Sequence, residues 1–307
     1  MTNYLRNRSG QVLVEAVTSG AEALLQAAAA GGIELRDVDL AGISVTDAVL
    51  VGLRMVDSTV ARANLERSTL SRSDFRRVDL SDTFLSRVRL DGASLVGSTL
   101  VNASLTAAVL DAADFRSVDA SAALFASASA VDAVFARAVL VEARFDRATL
   151  SRAVFEGADL SRALLEGAKA NEIDARRAIL VEVRATGAVL QEARLEGVRA
   201  ERAIFAKADL RRADLTSIDA SGADFSGATL RDAQMNGATL RGAIFAGADL
   251  DGASLIGADL TGADLTNARF RGANVDRMRV GGAKTTGVDW AASKGTVIDG
   301  DTSGPYR

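Results

Sequence analysis

The stretch Gly247–Phe270 reads GADLDGASLIGADLTGADLTNARF. Leu250, Leu255, Leu260, Leu265 and Phe270 recur every fifth residue, and Ala248, Ala253, Ala258, Ala263 and Ala268 stand two residues before them. A period of five is neither the 3.6 of a helix nor the two of a plain strand. The apolar positions, however, recur at gaps of two, then three. A gap of two is one step of strand alternation, with both side chains on one face. A gap of three means that the chain has turned a corner and reset its phase. The simplest object with this pattern is a coil with short flat sides, each turning two apolar residues inward.

Working outward, the register holds from a centre at Leu35 to one at Trp290, giving 52 consecutive pentapeptides without insertion or deletion. Leu or Phe fills 37 of these centres, and Ala fills 34 of the positions two before them. An internal repeat of this length decides the fold class before any other signal.

The pattern resembles the pentapeptide repeat family, whose motif is A(D/N)LXX, over about residues 33–290. What the resemblance implies is an all-β solenoid, a right-handed quadrilateral β-helix with four pentapeptides per coil and so about 13 coils. The sequence supports an interior shared by centre and minus-two residues. Where the centre shrinks to Ala120, Ala175, Ala185, Ala200 or Ala220, the minus-two residue has grown to Val118, Ile173, Val183, Val198 or Ile218. Such swaps conserve core volume. Ala130 and Ala170 lack this compensation, so local slack is expected there.

An open coil end exposes apolar side chains and unpaired edges, so the ends should differ from the middle. Residues 1–32 are read as an N-terminal segment. Ser19 and Glu22 make a capping-box pattern that opens a short helix, ended by Gly31-Gly32, with Leu24, Leu25 and Ala28 over the first coil. QVLVEAV, within residues 1–18, fits either a helical extension or a strand. Trp290, the single Trp, is read as a plug for the last coil, and residues 291–307 as a polar, mobile tail.

Catalysis is not expected. The chain has no His and no Cys, so the usual proton shuttle, thiol nucleophile and soft metal ligands are missing. GGAKTTG at Gly281–Gly287 lacks the Gly before Lys284 that a phosphate loop needs and sits inside the repeat register. DGDTS at Asp299–Ser303 lacks the bidentate Glu of a calcium loop. No apolar run is long enough to span a membrane, no secretory leader is evident, and a cytoplasmic location is expected. A net charge of −4 argues against direct nucleic-acid binding. No cofactor is expected.

Function is therefore sought on the outer faces, sorted with four pentapeptides per coil. On the second face, between centres Leu40 and Leu160, Asp39, Asp79, Asp82, Asp119, Glu142 and Asp159 stand against one base, Arg62. The third face carries an apolar ladder of Phe84, Leu124, Leu164, Ile204 and Ile244, each just before a centre, where the family has outward Asp or Asn. A line of exposed apolar residues suggests an interface; drift in a tolerant repeat is the other reading. Several members of the family bind DNA gyrase or topoisomerase IV as mimics of duplex DNA and protect the enzyme from inhibitors. The resemblance thus implies a type II topoisomerase as protein partner. The alternative is a scaffold or adaptor that binds a partner, or itself as a homodimer, through the apolar ladder.

Overall fold

In the computed structural model the described residues are 3–16, 20–299 and 302–303. The chain divides into two compact units, Met1–Val154 and Phe155–Arg307. Both are repeat β-helices built from one pairing rule. The residue before each centre bridges in parallel to the residue 20 positions on, as in Asn64 to Phe84 in the first unit and Ile204 to Asp224 in the second. Twenty residues are four pentapeptides, so each coil has four sides.

The backbone accounts for this geometry within one pentapeptide. The Leu65 N–H donates to Phe84 O (2.9 Å) and the Phe84 N–H to Ala63 O (2.9 Å), one coil below. The Arg67 N–H donates to Ser86 O (3.0 Å), and the Ser68 N–H closes the corner on Leu65 O (3.2 Å). That corner is a β-turn whose third residue, Arg67, has φ 58°. A positive φ at this place is the signature of a type II turn. The N–H after the centre is the one left over, and the residue before the centre often takes it with its side chain: Asn64 Oδ1 accepts from Glu66 (3.1 Å), Asp79 Oδ1 from Ser81 (3.0 Å), Asp264 Oδ1 from Thr266 (3.0 Å). This is the Asx-type bond that favours Asp and Asn in turns, and it explains the second letter of the repeat.

Every centre from Leu35 to Val280 is buried, and so is every minus-two residue from Ala48 to Met278. In the first unit, aromatic rings repeat with the coils. Phe115 stacks on Phe135 (centroids 4.7 Å apart, interplanar angle 8°) and Phe125 on Phe145 (4.6 Å, 4°). The two stacks meet edge to face, as Phe125 does Phe135 at 5.9 Å and 87°. Ala130, between Phe125 and Phe135 in the chain, and Ala170 are both buried. The second unit has local slack. An apolar cavity of about 20 Å³ is lined by Ala175 and Ala185 together with Phe155, Leu160 and Ile173. Ile173 and Val183 thus replace only part of the volume lost at those centres.

The first unit begins with an antiparallel hairpin, β1 (Asn3–Arg6) with β2 (Val12–Ala16), so Val12–Ala16 of QVLVEAV is strand. Helix α1 (Ala21–Ala30) follows, with Leu24, Leu25 and Ala28 buried. Its N-cap is Gly20, without a side-chain cap; Ser19 lies outside the described residues, and Glu22 accepts instead from Gln26 (3.0 Å). Gly31-Gly32 ends the helix, with Gly31 N–H on Ala27 O and Ile33 N–H on Ala28 O. The coils start at β3 (Glu34–Arg36), paired in parallel with β4 (Arg54–Val56).

At the other end Trp290 stacks on Phe270 (4.7 Å, 22°) and is half-buried. The mobile tail expected from residue 291 is not what residues 291–299 form. Lys294 continues the ladder onto Asn274, and β5 (Met278–Arg279) pairs in parallel with β6 (Val297–Asp299), burying Val297. β7 (Thr302–Ser303) pairs antiparallel with β6. The phase slips by one residue here, since Val297 pairs 19 residues back rather than 20, which hid the continuation from a five-residue pattern. Gly300 and Asp301 of DGDTS lie outside the described residues. Lys284 of GGAKTTG pairs with Asp264 Oδ2 (3.1 Å) on the coil below, as a repeat position does.

Candidate partner-binding faces

On the second face of the first unit the bridging order is Asp39, Thr59, Asp79, Thr99, Asp119, Val139. The three carboxylates therefore recur every second coil, about 10 Å apart. Each binds the N–H two residues on: Ala41 for Asp39 (3.0 Å), Ser81 for Asp79 (3.0 Å) and Ser121 for Asp119 (3.0 Å). Asp82, at a corner, accepts from the neutral amide of Asn102 (3.1 Å). None of these four makes an ion pair among the described residues. Glu142 lies on the same face; Asp159 belongs to the second unit, where it accepts from Ser161 N–H (2.9 Å) and Oγ (2.6 Å). Exposed Val139 (40 %) ends the first unit's row.

Corner acids of the other three faces differ. Arg67 grips Asp47 through two bonds of 2.7 Å, Arg77 grips Asp57 at 2.6 and 3.0 Å, and Arg152 grips Asp132 with two of 2.7 Å. Each guanidinium, by hydrogen bond and by charge, holds its partner carboxyl below the usual range. These pairs stack corner on corner, acid on one coil and Arg on the next. Reading the sequence by residue type counted both groups of acids alike; only the coil-to-coil partner separates the neutralised carboxylates from those left on the second face.

The apolar ladder is interrupted. In the first unit Ser104 separates exposed Phe84 from half-buried Leu124. In the second the order is Leu164, Arg184, Ile204, Asp224, Ile244; of its apolar rungs Ile244 is exposed (40%), while Leu164 and Ile204 are half-buried. The structure brings these side chains onto one face within each unit, but as alternate rungs between polar ones.

Sequence reasoning missed a set of hydroxyls. Ser58, Ser68 and Ser98 replace the minus-two Ala and are buried. Ser68 Oγ accepts from Ala48 N–H (3.2 Å) and donates to Val45 O (3.0 Å), inserting itself into the turn of the coil below. Ser58 likewise accepts from Val38 N–H (2.9 Å), and Ser98 from Val78 N–H (2.9 Å). Hydroxyls so bonded are structural. Among the described residues no three acidic side chains converge on a metal-sized site, and no helix is long and apolar enough to cross a membrane.

The chain belongs to the pentapeptide repeat family: eight copies of the repeat match, over residues 61–95, 85–119, 121–157, 158–197, 208–245 and 243–277. Among solved structures it is similar to HetL of Nostoc sp. strain PCC 7120, a pentapeptide repeat protein involved in heterocyst differentiation regulation, with 27% identity over 93% of this chain and 99% of that one (TM-score 0.31). A pentapeptide repeat protein of the Arabidopsis thaliana thylakoid lumen matches at 31% identity over 35% of this chain and 71% of that one (TM-score 0.22). Full-length QnrB1, a plasmid-mediated fluoroquinolone resistance protein, matches at 19% identity over 83% and 93% (TM-score 0.19). No curated protein matches.

Proposed function

We propose that the protein is a non-enzymatic binding module whose second face, in the first unit, engages the DNA-binding surface of a type II topoisomerase such as DNA gyrase. It does so as a mimic of duplex DNA and modulates the action of inhibitors on the enzyme. The observation that carries this reading is the row of Asp39, Asp79, Asp82 and Asp119, which make no ion pair among the described residues while acids on adjacent faces are gripped by Arg. A regular row of anions about 10 Å apart on a stiff ladder suits a basic groove shaped for phosphates, and such complementarity acts mainly through steering and specificity. The solenoid is taken as right-handed with about 13 coils, as the family resemblance implies, and the protein as cytoplasmic, where such an enzyme works.

The test is a gyrase supercoiling assay with purified protein, with and without a fluoroquinolone. Inhibition or protection at micromolar concentration is expected. Replacing Asp39, Asp79, Asp82 and Asp119 by Asn should weaken the effect and flatten its salt dependence. Asn keeps the turn bonds, as Asn64 does now, so the circular dichroism spectrum should not change. A protein without effect on gyrase at that concentration removes this reading.

A further inference from the structure

We propose that the third face of the second unit is a homodimer surface, on which two copies pack antiparallel about a two-fold axis passing beside Ile204. This goes beyond the topoisomerase reading and uses a different face of a different unit.

The rungs of this face follow one another by direct bridging: Leu164, Arg184, Ile204, Asp224, Ile244. The order is apolar, basic, apolar, acidic, apolar. Reversed, it is its own complement. With Ile204 facing its own copy, Arg184 faces the second copy's Asp224, Asp224 faces Arg184, and Leu164 and Ile244 face each other. Every rung is one coil from the next, about 4.8 Å, so all five contacts form in one register. A parallel arrangement would instead set Arg184 on Arg184 and Asp224 on Asp224. Like charges placed so are strongly disfavoured, and the face therefore selects the antiparallel copy. The other faces of this unit carry isolated large apolar rungs, such as Ile179 and Val189, and no alternation of this kind.

The side chains are free to act in this way. Asp224 uses one oxygen for the Ser226 N–H (2.8 Å) and has no cation partner among the described residues. Arg184 is bound on one side, to Glu166 (2.8 Å), and its side chain is 53% exposed; a guanidinium has five donors and can serve a second carboxylate. Ala206 and Ala246, beside Ile204 and Ile244, let a flat surface approach closely. At the two rims Arg202 and Lys207 each face their own copy; Glu182 holds Arg202 (3.0 Å), and Lys207 lies on the far side of the rung. An isologous contact of this size is a weak one, closing at micromolar concentration rather than below it.

Sedimentation of the full chain from 1 to about 200 μM, roughly the range of weak association, tests the proposal. The natural protein should pass from monomer to dimer. Arg184→Asp alone and Asp224→Arg alone should each raise the dissociation constant at least about tenfold, with unchanged circular dichroism, because both side chains point outward. The double variant Arg184→Asp/Asp224→Arg should recover the dimer, since the swap restores complementarity. The chain has no Cys, so Ile204→Cys offers a single thiol on the axis, which a short bis-maleimide should join to its copy. Leu164→Cys should join poorly to itself and well to Ile244→Cys. A monomer throughout the range, a dimer indifferent to the single reversals, or a double variant no better than the singles would each overturn the proposal.

Discussion

Residues 37–152 and residues 222–287 turn the same corners with opposite chemistry. In the first stretch the left-handed corner residue is Gly only at Gly42, Gly52, Gly92 and Gly97; elsewhere it is Arg, Asp, Asn, Glu, Ser or Ala at φ near 57°. In the second stretch every corner is Gly except Asp232, Asn267 and Arg277. A side chain held at positive φ costs on the order of 1 kcal/mol, while Gly adopts it freely but has more entropy to lose on folding. The first stretch uses its charged corners for stacked pairs such as Asp47–Arg67 and Asp57–Arg77. The cores do not divide in the same way: Phe rings stack around Phe125 in the first unit and again at Phe205, Phe225 and Phe245 in the second, whose small cavity lies beside Ala175 and Ala185. The backbone ladder is common to both. It is therefore the invariant of this fold, and corner and core chemistry are choices made upon it.

Leu160→Ala breaks this comparison most severely. Leu160 already borders the cavity, and Ala158 beside it cannot fill the space, so the loss should be about 2 to 5 kcal/mol, toward the upper end. Urea unfolding followed by circular dichroism measures it. A loss below about 1 kcal/mol, near that of one methylene, would mean that the second core collapses around voids.

A paired experiment sharpens the contrast between the cores. Ala130→Leu inserts bulk between Phe125 and Phe135 and should destabilise by about 1 to 3 kcal/mol. Ala175→Val grows into the cavity and should cost nothing or gain up to about 1 kcal/mol. Melting shifts of the same sign and size would show that the two cores are equally packed.

Acid should act on both units through lowered carboxyls, among them Asp47, Asp57 and Asp132 in the first and, in the second, Asp264, held at about 2 by the Thr266 hydroxyl and N–H and by Lys284. A folded pKa below the unfolded value gives stability that is fully present above about pH 4 and is lost as pH falls through the folded pKa. Melting temperature should therefore be level, as far as these groups act, from pH 7 to about 4.5 and decline from there toward pH 2. Asp47 and Asp132 are exposed and Asp57 and Asp264 half-buried, so the decline should be modest and should shrink in added salt. A melting temperature that rises on acidification would contradict the assignment.

The smallest effect is expected at Ser68→Ala. The hydroxyl stands between Ala48 N–H and Val45 O, and its removal lets the turn close on itself, as Ala63 N–H does on Val60 O (3.0 Å). The change should stay below about 1 kcal/mol. A larger loss would mean that the first coils need their inserted hydroxyls.

The solenoid was legible because two residues in every five face inward, and Ala248 and Leu250 repeat that choice at each side. Helix α1 was legible from Leu24, Leu25 and Gly31-Gly32, although its cap fell on Gly20. Three features were not legible. Ser68 looks like a lapse in the repeat until the coil below is placed under it. Val297 lies one residue out of phase. The cavity beside Ala175 and Ala185 is hidden in the sequence, where Ile173 and Val183 read as full compensation.

By itself the sequence determined the five-residue period, the inward and outward sides and the presence of a corner between them, because each follows from sterics and burial within a few neighbouring residues. Only the tertiary structure decided which residues meet 20 positions apart. That contact separates Asp57, gripped by Arg77, from Asp79, which makes no ion pair among the described residues, and it sets Arg184 one rung from Ile204. The physical reason is that charge compensation and void filling are properties of pairs across the ladder, and no single pentapeptide contains both partners.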